Sequence, residues 1–363
     1  MSHTLDPEFA WLLGTDERLA PDKLVGEQVR RAADMVTAWW QLAPIIAPRV
    51  KDLARGRRST ADSIRTLEAL ATSVSTITRV QNLLAWRFAR ALDANDIPYS
   101  LLKGSAARLV AYPESHLRGG LDVDIAIPRT WIYAAKEIAH DQGFISAALS
   151  NVEVGRHFVA VDPLEQELVE SEHYELACLV RRQTITDLAP ATERAIRSTI
   201  DMVRPWHVTE DGRLGCYVTL DLHHGLCLDI PVDDAVSSAT RVPAADHKLS
   251  VPSRPWLLLH LIFKVYWEGV YNYRRGAYQY ADVLRLLEGL DVEDATELMS
   301  LLEKYQLEAA GHYVLRRVPS DLGTPLSPVL QDYVDRTAQA PTEVFPTDVN
   351  DLGDMWPKLW GRR

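Results

Sequence analysis

Cysteine is scarce: the 363 residues include three, Cys178, Cys216 and Cys227. Their spacing fits neither a metal-ligand motif nor a redox pair, and so few exclude a disulfide framework, so a reducing compartment is expected. The opening Met-Ser-His-Thr-Leu-Asp-Pro-Glu lacks the charged start and apolar core of a secretory leader. Long apolar runs are missing as well. The stretch from Trp256 to Phe263 is too short to span a bilayer and is interrupted by His260. A soluble, cytoplasmic protein that does not contact a membrane is the expectation. An excess of positive charge is also absent, with 39 Lys and Arg against 50 Asp and Glu and a net charge of −11. Chains that wrap long nucleic acid usually carry a basic stripe. The clearest basic run here, Arg55-Gly-Arg-Arg58, reads as a solvated turn between helical stretches. Long nucleic acid is therefore disfavoured as a partner, whereas a small anion needs only a local pocket of Lys and Arg.

What is present is an ordinary globular balance, 47% hydrophobic and 25% charged, enough to bury a sizeable core. From Asp22 to Leu42, and again from Ala61 to about Leu92, apolar residues recur at helical intervals; Ile64, Leu67, Leu70, Val74, Ile77 and Leu84 make the second stripe. The texture then shifts to short strands mixed with helices: Tyr99 to Lys103, Leu121 to Ile127, His157 to Val161, Tyr174 to Val180 and Tyr217 to Leu222 read as strands. Helices are expected at Ala106 to Tyr112 and Trp131 to Gln142, and again from Trp256 onward. The order implies an α+β fold: a helical region over 1–96, a mixed-sheet core over 97–230, a helical region over 231–339, and an irregular tail over 340–363.

Asp122-Val-Asp124 carries the strongest chemical signal. Residues two apart on a strand share a face, so both carboxylates project together while Val123, Ile125 and Ile127 face a core. Two adjacent carboxylates repel, and suit a hard cation such as magnesium that prefers oxygen ligands. Read alone, the pair is more plainly a solvated strand end or a weak calcium site. Upstream, Lys103-Gly104-Ser105 lies between a strand and a helix; glycine lets a phosphate approach the backbone, and a helix start offers unpaired N–H groups to an anion. Downstream, Asp221 and His223 share one face of an apolar strand, where an isolated carboxylate is costly unless it is paired or bound to metal. A salt bridge is the plainer reading of Asp221. Adjacent His223 and His224 point to opposite strand faces and read as one core and one solvent histidine.

Leu101-Leu-Lys-Gly-Ser-Ala, Arg118, Asp122-Val-Asp-Ile-Ala-Ile and Leu220-Asp-Leu-His together resemble the little-characterised bacterial nucleotidyltransferases of the DNA polymerase beta superfamily. The resemblance covers about Tyr99 to Leu290. It implies a polymerase-beta-like core flanked by helical regions, with a nucleoside triphosphate, ATP first among them, held by Lys103, Gly104, Ser105 and Arg118. It implies magnesium on Asp122, Asp124 and Asp221, which are also the catalytic residues. His260 and Lys264, four apart on one helix face, are expected to reach the triphosphate, and Asp282 falls at another polar position of the family's C-terminal helices. The implied reaction moves a nucleoside monophosphate to an acceptor and releases pyrophosphate by two-metal catalysis. A small molecule or a peptide or protein is the favoured acceptor. Two other readings stay open: a non-catalytic, antitoxin-like nucleotide binder on the same fold, and a metal-dependent hydrolase using the aspartates with His223.

Overall fold

The structure is a computed structural model that describes residues 24–38, 40–54, 60–152, 155–160, 175–176, 178–227, 230–270, 277–322 and 324–337. The expected turn at Arg55 to Arg58, the tail over 340–363, the end of the expected strand His157 to Val161 and the start of that from Tyr174 to Val180 lie outside them. The chain forms two compact units, Thr72–Ser253 and Met1–Ala71 with Arg254–Arg363. The division falls inside one long helix, Ala61–Ala94.

In chain order the elements are helices α1 (Gly26–Ala38), α2 (Ala43–Leu53) and α3 (Ala61–Ala94), then strand β1 (Ser100–Leu101), helix α4 (Lys103–Val110), strand β2 (Asp122–Ala126) and helix α5 (Ile132–Asp141). Next come β3 (Ile145–Val152), β4 (Gly155–Ala160), β5 (Leu179–Thr184), α6 (Pro190–Thr199), β6 (Trp206–Val208), β7 (Leu214–His223), β8 (Gly225–Cys227) and β9 (Ile230–Pro231). Helix α7 (Asp233–Ser237) and the hairpin β10 (Thr240–Ala244) and β11 (His247–Val251) precede helices α8 (Arg254–Val270), α9 (Ala277–Glu288), α10 (Val292–Lys304), α11 (Glu308–Leu315), α12 (Arg317–Leu322) and α13 (Pro328–Thr337).

The unit from Thr72 to Ser253 is built on a mixed sheet of order β1-β2-β7-β5-β3-β4, with β6 on β7. Its one parallel ladder among the described residues joins β2 to β7, and a crossover carrying α5 and α6 makes that pairing possible. Cys216, Val218, Leu220 and Leu222 alternate along β7 and are wholly buried, which fixes the register, because a one-residue slip would turn them to the other face. The fold is α+β, as the sequence implies. The first strand is shorter than the Tyr99 to Lys103 expected. Lys103 adopts the left-handed region (φ 46°), so extended pairing stops at Leu101 and α4 starts three residues before the expected Ala106. The strand read at Tyr174 to Val180 is instead Leu179–Thr184, with Glu175 making only an isolated bridge to His223. The region after 231, read as helical, opens with α7 and then forms the β10–β11 hairpin. Asp246 and Ala245 (φ 52°) turn it, and it belongs to the sheet unit.

Asp93 at the end of α3 ties that hairpin down. Its carboxylate accepts from Arg241 Nη1 at 3.0 Å and stands 2.8 Å from His247 Nε2. Burial raises its pKa, but the bonds and charges of Arg241 and His247 outweigh this and hold it below 3.8. A depressed carboxylate contributes stability that is present above its unfolded pKa and lost as pH falls through the folded one. Asp93→Asn is therefore expected to cost about 1 kcal/mol at neutral pH, the scale of a partly screened pair. The gap to wild type should close as pH drops below 3.8. Urea melts across pH check it; a gap that widens in acid refutes it.

The second unit is helical. Helix α8 buries Leu257, Leu258, Leu261, Ile262 and Val265, and Trp256 meets Tyr305 edge-on at 5.6 Å. Asp291 caps α10 by accepting from Asp294 N at 2.8 Å. Among the described residues no helix is long and apolar enough to cross a membrane.

Candidate nucleotide and metal site

The parallel ladder sets Asp124 opposite Asp221 and Asp122 opposite Thr219. Partners in register point to the same face, so β2 and β7 deliver three carboxylates to one place, each with an oxygen within 4.8 Å of the others. Asp124 is buried, and Asp122 and Asp221 are half-buried. Like charges this close repel by roughly 4 kcal/mol per pair at an effective dielectric of 20. The cluster answers by dividing its charge unevenly. Burial, then the Asp124 charge, pushes Asp122 up to about 6. Burial, then the charges of Asp122 and Asp124, raises Asp221 well above the usual carboxylate range. For Asp124, burial is outweighed by Lys103 and His223, which hold it well below that range.

Lys103 is the internal cation. Its Nζ lies 2.5 Å from Asp124 Oδ1, and although burial works against its charge, Asp124, Asp122 and Asp221 raise its pKa far above an ordinary lysine. The left-handed backbone at Lys103 costs about 1–2 kcal/mol for a residue with a Cβ, which this ion pair offsets. Helix α4 has no side-chain cap, so its first amides are not met by a capping oxygen. Gly104 leaves room for the Arg118 guanidinium: a Cβ there would stand 2.9 Å from its Nη2 and push it aside. Ser105 Oγ accepts from Asp124 N at 3.3 Å, fastening α4 to β2. Arg118 is buried and donates to Gly119 O. Arg108 holds the turn beneath, donating to Gly104 O at 3.2 Å and to Asn82 Oδ1 at 3.0 Å.

The structure thus brings Lys103, Gly104, Ser105, Arg118, Asp122, Asp124 and Asp221 into one unit. His260, buried, and Lys264, half-buried, lie on α8 of the helical unit, as Asp282 lies on α9. Two neighbours of the cluster were not singled out as site residues. His223 is wholly buried with Nε2 3.0 Å from Asp124 Oδ1, and Glu175 Oε2 lies 3.3 Å from its Nδ1. Burial, then Lys103, keeps the imidazole below its ordinary pKa. His223 was visible in the alternation that pairs it with Asp221; Glu175, on a bridge formed far from β7 in sequence, gave no signal. Burial, followed by the charge of Asp221, raises the thiol pKa of Cys178.

Magnesium is the cation the resemblance implies, and the residues present fit it. All three ligand groups are hard oxygens, and Asp221 Oδ1 is buried with no hydrogen-bond partner among the described residues, an acceptor that a cation would satisfy.

Two solved structures share features with the chain. The solution structure of antibiotic-resistance factor ANT(2'')-Ia is similar at 11% identity and a TM-score of 0.36, over 65% of this chain and 98% of that one. An antigenic nucleotidyltransferase-like protein from Paracoccidioides brasiliensis is similar at 14% identity and a TM-score of 0.27, over 70% of this chain and 94% of that one. No curated protein sequence matches the chain. The profile of the family described as "Uncharacterised nucleotidyltransferase" matches residues 34–320. That match takes in both strands of the carboxylate cluster and most of the sequence, and the chain belongs to this nucleotidyltransferase family.

Proposed function

We propose that the protein transfers a nucleoside monophosphate from a magnesium-bound nucleoside triphosphate, ATP first among candidates, to a small-molecule, peptide or protein acceptor. The observation that carries this reading is the convergence of Asp122, Asp124 and Asp221 from a parallel strand pair, beside the uncapped start of α4. In the reaction an acceptor oxygen or nitrogen attacks the α-phosphorus, the bond to the β-phosphate oxygen breaks, and pyrophosphate leaves with the bonding electrons. Asp122, Asp124 and Asp221 would hold magnesium, which would neutralise charge on the leaving phosphates and lower the acceptor's pKa.

The chain's own residues position. The amides of Gly104 and Ser105 offer the triphosphate an anion site at a helix start. Lys103 and Arg118 add positive charge there. Asp221, delivered by the other strand of the ladder, assists the acceptor, as metal ligand or as the base that takes its proton. The net charge of −11 favours an acceptor other than long nucleic acid.

Incubating the protein with cell extract and labelled triphosphates, then reading masses, should reveal an acceptor heavier by one nucleotide, with pyrophosphate released in step. Magnesium-nucleotide binding with no pyrophosphate across a broad acceptor panel would instead favour the non-catalytic binder. Asp221→Ala is expected to keep magnesium-nucleotide affinity within a few-fold yet turn over at least ~100-fold slower, the range for losing a positioned base. Calorimetry showing lost affinity would make Asp221 a binding ligand and not the proton acceptor.

A further inference from the structure

We propose that His223 is a positioning residue for the cation site, holding the Asp124 carboxylate in the orientation in which it binds metal. The inference rests on the nucleotidyltransferase reading above and assigns a role that the three carboxylates alone do not define.

His223 sits two residues beyond Asp221 on the same face of β7, wholly buried. A buried imidazole is costly unless its polar atoms are met. The core face of β7 is made of apolar side chains, whereas the facing set of Thr219, Asp221 and His223 is polar throughout, so the histidine is not filling a hydrophobic layer. Its Nε2 lies 3.0 Å from Asp124 Oδ1, the same oxygen that Lys103 Nζ approaches at 2.5 Å. An ionised carboxylate only accepts, so Nε2 carries the hydrogen in this contact. Asp124 is therefore gripped at one oxygen by donors from two different elements, α4 and β7, which fixes its side-chain torsions and leaves Oδ2 for a cation.

On the ring's far side Glu175 Oε2 stands 3.3 Å from Nδ1, and the backbone fixes that segment, with Glu175 bridging His223 and Leu176 N donating to Leu222 O at 2.9 Å. The sequence Glu175, His223, Asp124 thus runs from a half-exposed carboxylate to the buried ligand. Groups that orient a ligand in this way typically change metal affinity 10- to 100-fold when removed.

The test titrates the full-length protein with manganese(II), following the free ion by electron paramagnetic resonance, and measures thermal midpoints without metal. His223→Leu keeps volume and loses the donor, and should bind manganese about 10- to 100-fold more weakly. His223→Gln, whose amide nitrogen can stand where Nε2 stands, should recover most of that loss. His223→Asn, whose shorter amide matches Nδ1, should not. Wild-type affinity in His223→Leu overturns the inference, and so does a glutamine variant no better than the asparagine variant, because a structural role would not discriminate the two amides. If His223→Leu does not fold, the contrast between glutamine and asparagine decides the matter. Wild-type protein that binds no manganese overturns the nucleotidyltransferase reading of the site, and this inference with it.

Discussion

Lys103→Met is expected to lower the thermal midpoint of the magnesium-free protein and to tighten its hold on divalent cations. Methionine keeps the length and packing of the lysine stem but removes the ammonium from Asp124 Oδ1. Breaking a buried ion pair by deleting one partner usually costs about 3–5 kcal/mol, because the remaining charge stays buried and unpaired. In a unit of this size each kcal/mol is worth about 2–4 °C, so a drop of roughly 6–20 °C is expected without metal. Magnesium should restore much of it, since a cation now has three carboxylates to itself. Calorimetric melts with and without magnesium read both effects. An unchanged midpoint would mean that the ammonium contributes no net stabilisation to the cluster. A weaker response to magnesium than wild type would mean that Lys103 helps the cation and does not rival it.

The two aspartates of β2 should respond in opposite directions when each becomes asparagine. Asp122 is held up to about 6 by burial and by Asp124. A carboxyl whose folded pKa is raised keeps its proton longer in the folded state, so its contribution to stability falls as pH rises from the unfolded value toward the folded one. Asp122→Asn removes that loss and should stabilise the metal-free protein at pH 7 by on the order of 3 kcal/mol, two pKa units' worth. The wild-type decline between pH 4 and pH 6 should flatten with it. Asp124 lies on the other side of the balance, held low by Lys103 and His223, so Asp124→Asn should destabilise by a few kcal/mol at neutral pH. Both variants should fail to transfer a nucleotide, because each removes a ligand oxygen. Stability shifts of the same sign in the two, or normal turnover in either, would contradict this account.

The strands that hold the site were legible because period-two alternation is a local property: Asp122 and Asp124 had to share a face whatever the rest of the chain did. Asp221 was legible as a carboxylate on an apolar strand, but its register against Asp124 comes from a parallel ladder that no local pattern specifies. The left-handed Lys103 was hidden for a similar reason. Propensity carries the strand through it, and only the pull of three carboxylates makes the strained turn worthwhile. His223 was seen, but reading one core and one solvent histidine at 223 and 224 did not say which is buried, nor name its partner Asp124. Glu175 and the β10–β11 hairpin depended on pairings that form only once the sheet exists.

The parallel pairing of β2 with β7 has a consequence for how such chains can change over generations. The ligand geometry is set by a ladder of five paired positions, from Asp122 opposite Thr219 to Ala126 opposite His223. Everything between those strands, including α5, β3 to β5 and α6, is a loop as far as that ladder is concerned. Closing a longer loop costs little, about 0.6 kcal/mol for each doubling. Insertions can therefore accumulate between the two halves of the carboxylate cluster, adding strands or helices that reshape what approaches Asp221, while the cluster itself is inherited unaltered.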